Sequence, residues 1–517
     1  MSRPVSLERS KPDALDLDHA GAAASPSSEP TFSMILTACV VFFVALSIYF
    51  AVTESPGRIN HDMSEAFAWG REFQLGYPQH PPFWAWICGA WFLVFPHEIW
   101  AFGILSSLNA TIGLFGAWLL IGDFAEGRKR EAATALLLLT PCYTFLAFKY
   151  DANIILISLW PLTAHYFLRA IDRGRWSDSA LFGVFAGLSL MSKYYALVLL
   201  ASCLLAALQH PRRNAYFASA SPFLSAAVAA AICAPHVGWL LSHHAPPLRY
   251  LASVSGLTWS AMAALAAQTL FGAVKMNVVM VVAVAVLART SPRDWIAPWR
   301  RRAGDPRFPV LVVLALGPLI LTFVSAFALR TRIYAEMIVP VFPLLPLLAI
   351  ECFAPPDLDR LWSIVSRIAA AVVVGGVALS PAISAATIYW SVNHMNSPPY
   401  REVAFEATRV WREQTGLTLV TVASKDSYET ATVFYSPDRP HAFVRFDYDR
   451  SPWVTPESLA EHGLLSICSI NDQPCLAATA EFASPQSRAT EISLAHAAWG
   501  HIANSFHYII TVIPPRS

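Results

Sequence analysis

The residues of this 517-residue chain that can do acid–base chemistry crowd just beyond its first apolar run. In "NHDMSEAFAWGREFQLGYPQHPPFWAWI" stand Asp62, Glu65, Arg71, Glu72 and His80. Further polar residues interrupt later apolar stretches: Lys149 and Asp151 in "FKYDANI", Lys193 and Tyr194 in "MSKYYA", His243, His244 and Arg249 in "HVGWLLSHHAPPLRY", and Arg330, Arg332 and Glu336 in "LRTRIYAEM". Carboxylates at Asp62, Glu65 and Asp151 suit removal of a proton from a hydroxyl or amine. Lys193, Arg330 and Arg332 suit a phosphate, arginine as a fork and lysine as a point charge. An acid–base group beside a phosphate site at a lipid boundary fits transfer of a group from a lipid phosphate, which is already a good leaving group. Each of these residues taken alone also reads as an ordinary loop charge at headgroup level. Their gathering on one face is what points to a site, because ionisable groups at membrane depth are costly.

The elements that must hold them follow from composition. Hydrophobic residues make up 55%, charged residues 14%, and mean hydropathy is +0.46. A soluble domain carries roughly a quarter charged residues, so this chain places much of its apolar surface in lipid. A net charge of +1 gives no support to nucleic-acid binding. A spanning helix needs about 20 apolar residues. Candidate runs are 34–52, 99–121, 132–148, 154–168, 180–191, 195–208, 215–241, 262–287, 309–329, 333–350 and 364–390. The runs at 180–191 and 195–208 are short, and one helix over 180–208 is the competing reading. Eleven spans put the basic loops, among them the Arg-rich 289–307 stretch, on the cytoplasmic side, as the positive-inside rule requires; ten would send that stretch outside. The expected fold is a polytopic α-helical membrane protein with a small C-terminal extracytoplasmic α/β domain. Its parts are a disordered cytoplasmic tail at 1–33, a transmembrane domain at 34–392 with a first outer loop at 53–98, and the α/β domain at 393–517.

In that last part, "YREVAFEATRVWREQTG" reads as an amphipathic helix. "LTLVTVAS", "ATVFYS" and "HAFVRF" read as strands, "SPDRP" as a turn and "TPESLAEHG" as a capped helix ending on Gly463. Cys468 and Cys475 lie in a polar stretch and read equally as a disulfide or as two buried thiols. The other cysteines lie in apolar runs without metal-ligand spacing. In "QHPPFW", Pro81 keeps His80 out of the α region and Pro82 suits a helix start, so His80 either touches substrate or shapes the turn.

The outer-loop motif, with "YDANIILISLWPL", "GLSLMSKYYALVLL" and the succession of spans followed by an outer α/β domain, resembles the GT-C superfamily of polyprenyl-phosphate-sugar-dependent glycosyltransferases. The resemblance is to its family 39/83 group, which holds lipid A aminoarabinose transferases and relatives of protein mannosyltransferases, and it covers 34–390. It implies transfer of a sugar from a carrier such as undecaprenyl phosphate to a lipid or glycan acceptor at the outer face of a bacterial inner membrane, with the C-terminal domain in the periplasm. It implies that the first-loop Asp, here Asp62, is the catalytic base or an acceptor-binding carboxylate. The family's adjacent Asp-Glu is broken here by Met63, so Glu65 remains an alternative base. Asp151 matches the second acidic position, and Lys193, followed by Tyr194, matches a lysine near the donor phosphate. Arg330 and Arg332 rest on location and charge alone. No cofactor is assigned, and dependence on a divalent cation stays open, since Asp62, Glu65 and His80 are ligand types without a standard spacing. The competing classes are a transporter or flippase for a lipid-linked sugar, expected to show paired halves with broken helices, and a non-catalytic member of an envelope complex.

Overall fold

A computed structural model describes residues 32–54, 59–288, 304–394, 399–498 and 501–516. The expected tail up to residue 31, and most of the basic 289–307 stretch, lie outside the described residues. Apolar runs with no water to satisfy their backbone must close their hydrogen bonds internally, so they fold as helices. The bundle contains α1 (Phe32–Glu54), α4 (Ile99–Gly122), α5 (Gly127–Leu137), α6 (Leu156–Arg173), α7 (Trp176–Ser192), α8 (Ala196–Gln209), α10 (Ser221–Ser242), α12 (Trp259–Ala288), α13 (Phe308–Leu329), α14 (Leu345–Phe353) and α15 (Leu358–His394). Every one of the eleven apolar runs is therefore helical. Among the described residues six helices are long and apolar enough to cross a membrane, or eight when two bent pairs count as one span each. The bends are 75° between α5 and the 3₁₀ turns Pro141–Tyr143 and Phe145–Phe148, and 70° between the 3₁₀ segment Ala335–Val341 and α14. The expected count of eleven thus exceeds what length and apolarity support. The remainder, α6, α7 and α8, are shorter or more polar and pack against neighbouring helices rather than lipid alone.

α4 is central: 61% of its apolar window is buried, against 22% for α1 and 17% for α10 and α15 at the rim. Three short helices lie at the bundle's ends: α2 (His61–Gly70) and α3 (Phe83–Phe92) inside the first loop, and α9 (Arg213–Phe217) between α8 and α10. A fourth, α11 (Pro246–Val254), follows α10. α2 crosses α3 backbone to backbone: a Cβ on Gly89 would lie 2.2 Å from the carbonyl oxygen of Gly70.

The C-terminal part runs α16 (Tyr400–Thr415), β1 (Thr421–Ser424), α17 (Tyr428–Tyr435), β2 (His441–Val444), α18 (Pro456–His462), β3 (Leu464–Ser469), α19 (Gln473–Phe482), β4 (Arg488–Ala498) and β5 (His501–Ile513). The sheet order is β2-β1-β3-β5-β4, parallel among β2, β1 and β3 and antiparallel beyond. The amphipathic helix stops at Gly416 in the left-handed region, and α18 opens on a capping box between Thr455 and Ser458 and ends before Gly463. "ATVFYS" is not a strand. It lies in α17, whose eight residues are all buried. The reason is topological: β1 and β2 are neighbours and parallel, so the segment joining them must cross over one face of the sheet, and a helix does this. Cys468 and Cys475 form a disulfide.

Candidate active site

Asn60 caps α2, its side-chain oxygen accepting from the Asp62 N–H at 3.0 Å, so Asp62 stands in the first turn at the positive end of the helix. Its carboxylate meets the ammonium of Lys149 at 2.6 Å. Both side chains are about one-third exposed, 35% and 33%. A pair that wet contributes under about 1 kcal/mol to stability, so its importance is placement of charge rather than adhesion. Lys149 stands at the end of the bent 3₁₀ segment, two residues before Asp151.

Asp151 is buried, 4% exposed, and one of its oxygens accepts from the backbone N–H groups of Asn153 (2.6 Å) and Ile154 (2.9 Å). That turn aims Asn153, whose side-chain oxygen accepts from the Lys193 ammonium. Lys193 terminates α7 and breaks the run between α7 and α8. The charges of Asp62, Asp151, Lys149 and Lys193 act on one another, and Glu336 acts on both lysines. Residues up to 131 positions apart in sequence, from Asp62 to Lys193, therefore lie within electrostatic reach of one another as one charged cluster.

His80 also lies within electrostatic reach of Lys193 and Asp62, and the remaining expected residues are placed differently. His80 closes a turn, its carbonyl accepting from the Tyr77 N–H at 3.2 Å, while its ring packs edge-on to Trp84. Burial, and then the charge of Lys193, push its imidazole down to about 3, so it is neutral. The Tyr194 hydroxyl donates to Nε2 of His236 at 2.7 Å, and Nδ1 of that ring donates to the Leu75 carbonyl at 2.8 Å. Tyr194 thus tethers the first loop, and Trp239 seals it against Gly76, where a Cβ would meet the indole ring. Arg330, in the left-handed region at φ 49°, caps α13 and spends its guanidinium on the carbonyls of Leu257 and Gly256. Arg332 is exposed and acts on Tyr250, not on the lysine pocket.

Glu65 points into the junction between α2 and the C-terminal part. Beside it, Ser64 shares a hydroxyl hydrogen bond of 2.8 Å with Thr430. Burial, then the charges of Asp62 and Glu429, push the Glu65 carboxyl up to about 8. Burial pushes Glu429 up to about 8 as well. Asp62, Glu65 and His80 do not converge: among the described residues no group of three or more His, Cys, Asp or Glu is placed to hold a metal ion. Sequence reading left out Asn153, which nothing but its place in "YDANI" marks. It also left out the C-terminal residues Glu429, Arg445 and Arg450, which come near α2 only through tertiary docking.

Residues 79–239 match the model of the dolichyl-phosphate-mannose-protein mannosyltransferase family, a stretch that includes His80, Lys149, Asp151 and Lys193. No curated protein sequence matches the chain. The fold is similar to that of ArnT from Cupriavidus metallidurans bound to undecaprenyl phosphate, at TM-score 0.57 and 15% identity over 93% of this chain and 97% of that one. It is similar also to ArnT from the same organism in the apo state, at TM-score 0.58 and 15% identity over 92% and 98% of the two chains. The chain is a multi-pass membrane protein whose fold is of the ArnT kind, with a small sheet domain in its C-terminal part.

Proposed function

We infer that the protein is a membrane glycosyltransferase that takes a sugar from a polyprenyl-phosphate carrier and passes it to a lipid or glycan acceptor. The observation that carries this reading is the Asp62–Lys149 pair beside Lys193, at one end of a bundle whose fold is that of an ArnT bound to undecaprenyl phosphate. The pocket opens on the periplasmic side of the inner membrane, with the C-terminal domain on the same side; the basic loops at the opposite end support that orientation.

Asp62 is the base. It is the one-third-exposed, paired carboxylate, whereas Glu65 is buried and holds its proton at neutral pH. The acceptor hydroxyl gives its proton to Asp62 as its oxygen bonds to the anomeric carbon. The bond from that carbon to the phosphate oxygen breaks, and the electron pair leaves with the polyprenyl phosphate. One displacement inverts the anomeric centre. Lys193, aimed by Asn153, receives the phosphate charge, and Asp151 serves by building the turn that holds Asn153. His80 and Tyr194 shape the first loop rather than touch the reacting atoms.

The test is sugar transfer from undecaprenyl-phosphate-linked donor by purified Asp62→Asn and Asp151→Asn proteins. Loss of a general base costs about 10²–10⁴-fold in rate. Asp62→Asn should lose at least a hundredfold while binding undecaprenyl phosphate within about twofold of wild type. Turnover at the wild-type rate in Asp62→Asn would remove the assignment.

A further inference from the structure

A hollow of about 580 Å³ opens sideways between α1, α4, α5 and α15, with Met34, Val41 and Val374 exposed along its edge. α1 runs toward Asp62 and α15 toward the C-terminal domain, so the end of the hollow at Met34 and Trp362 lies far from the Asp62–Lys149 pair. Protein interiors leave few voids wider than a water molecule, so a space of this size has room for an occupant. Its polar wall residues are already bonded within the protein. Arg128 pairs with Glu131 at 2.7 Å and with Asp359 at 3.0 Å, the Thr134 hydroxyl donates to the Arg130 carbonyl at 2.9 Å, and the Ser366 hydroxyl to the Ser363 carbonyl at 3.4 Å. Such walls suit hydrocarbon rather than water, which needs two to four polar partners.

Phe42 and Val373 also line a narrower slot of about 30 Å³, which carries the groove on to Tyr49 and Gly376. At 1.5 Å per residue the rise from Trp362 to Gly376 is roughly 20 Å, against about 15 Å for half of a bilayer's hydrocarbon core. The groove thus has the length of an acyl chain. Its wide end carries two indoles with cations beside them, Arg130 over Trp118 at 3.4 Å and Arg128 over Trp362 at 5.9 Å, an arrangement that belongs at headgroup level. On the flank of the same stripe of α15, Arg360 and Arg367 are exposed two turns apart. Basic residues at that depth attract anionic headgroups. Residues 1–31, outside the described residues, contain no run of large apolar side chains that would fill the groove.

We propose that this groove binds one anionic phospholipid of the leaflet opposite the candidate active site, with an acyl chain between α1 and α15 and the phosphate at Arg360 and Arg367. Thr144 and Phe145, which wall the slot, belong to the bent segment that ends at Lys149. The lipid therefore buttresses the element that sets Lys149 against Asp62. The site itself does not depend on the transferase reading.

The test uses the full chain purified in mild detergent, with retained lipids identified by native mass spectrometry. One phospholipid per chain should remain. Ala38→Phe with Ala370→Phe fills the groove from two exposed alanines on its walls and should cut retention at least tenfold. Arg360→Gln with Arg367→Gln leaves the groove open and should lower the preference for phosphatidylglycerol over phosphatidylcholine, both supplied in nanodiscs, at least threefold. A measurement on the wild-type chain avoids any question of variant folding: phosphatidylglycerol with a photoreactive group in its acyl chain should label residues 34–42 and 369–376. No retained phospholipid, polyprenyl phosphate in its place, a lipid-free dimer, retention unchanged in the alanine variant, or labelling that misses both stretches overturns the site. An unchanged lipid preference in the arginine variant overturns the headgroup assignment.

Discussion

At the scale of single residues, the division between Asp62 and Glu65 shows how environment assigns roles to like groups. Three positions apart on one short helix, they differ because Asp62 faces Lys149 and water while Glu65 faces a buried carboxyl. This has a consequence for stability. In the folded chain Glu65 and Glu429 each hold a proton to about 8, against an ordinary value of 4.5. The folded state therefore binds protons that the unfolded chain releases, and the stability this contributes is complete below about 4.5 and lost as pH rises through 8. Wild-type protein should melt at a lower temperature at pH 9 than at pH 5. Glu65→Gln or Glu429→Gln should flatten that dependence, as followed by thermal unfolding in detergent across the range; an unaltered slope in both variants would contradict the burial argument. Asp151 and Lys193 stood out in the sequence as charges interrupting apolar runs, and Asp62 as a charge just beyond one. Arg330 was legible by the same signal yet turned out to bind backbone carbonyls. A charge at a helix end can serve its own backbone as readily as a ligand, and no spacing rule separates the two.

At the scale of elements, the hydrophobic runs foretold the helices because lipid leaves the backbone no other way to close its hydrogen bonds. The bends escaped notice, since Pro141 and Pro343 interrupt hydrogen bonding without interrupting apolarity. α17 was misread because alternating β-branched and aromatic residues describe a buried surface of either kind, and only the parallel pairing of β1 with β2 decides for helix. The contact between α2 and α3 also lay beyond sequence reading, being fixed by a shared glycine crossing. A methyl group at Gly89 would strike the Gly70 carbonyl, and backbone cannot move aside as a side chain does. Gly89→Ala should destabilise by about 1–3 kcal/mol, the usual cost of overpacking. Its melting temperature should drop, and sugar transfer should fall with it because α2 carries Asp62. A melting temperature equal to wild type would show that the helices can separate freely.

At the scale of the whole molecule, the site lies at one end of the bundle and a second polar belt at the other. There Lys129 pairs with Glu351 at 2.9 Å, and Arg128 with Glu131 and Asp359 at 2.7 and 3.0 Å. In membranes of intact cells a single cysteine placed at Tyr448 should react with an impermeant maleimide, and one at Asp359 only after permeabilisation. Labelling of both from outside would invert the orientation on which the periplasmic assignment rests.

α2 belongs to both halves of the protein. Ser64 is bonded to Thr430, the Ile59 N–H to the Tyr435 hydroxyl at 3.0 Å, Arg71 to the carbonyls of Arg439 and Pro440, and Glu72 to His441 at 2.8 Å. Lifting the C-terminal domain away would drag Asp62 out of register with Lys149. The C-terminal domain and Asp62 are therefore expected to move as one body.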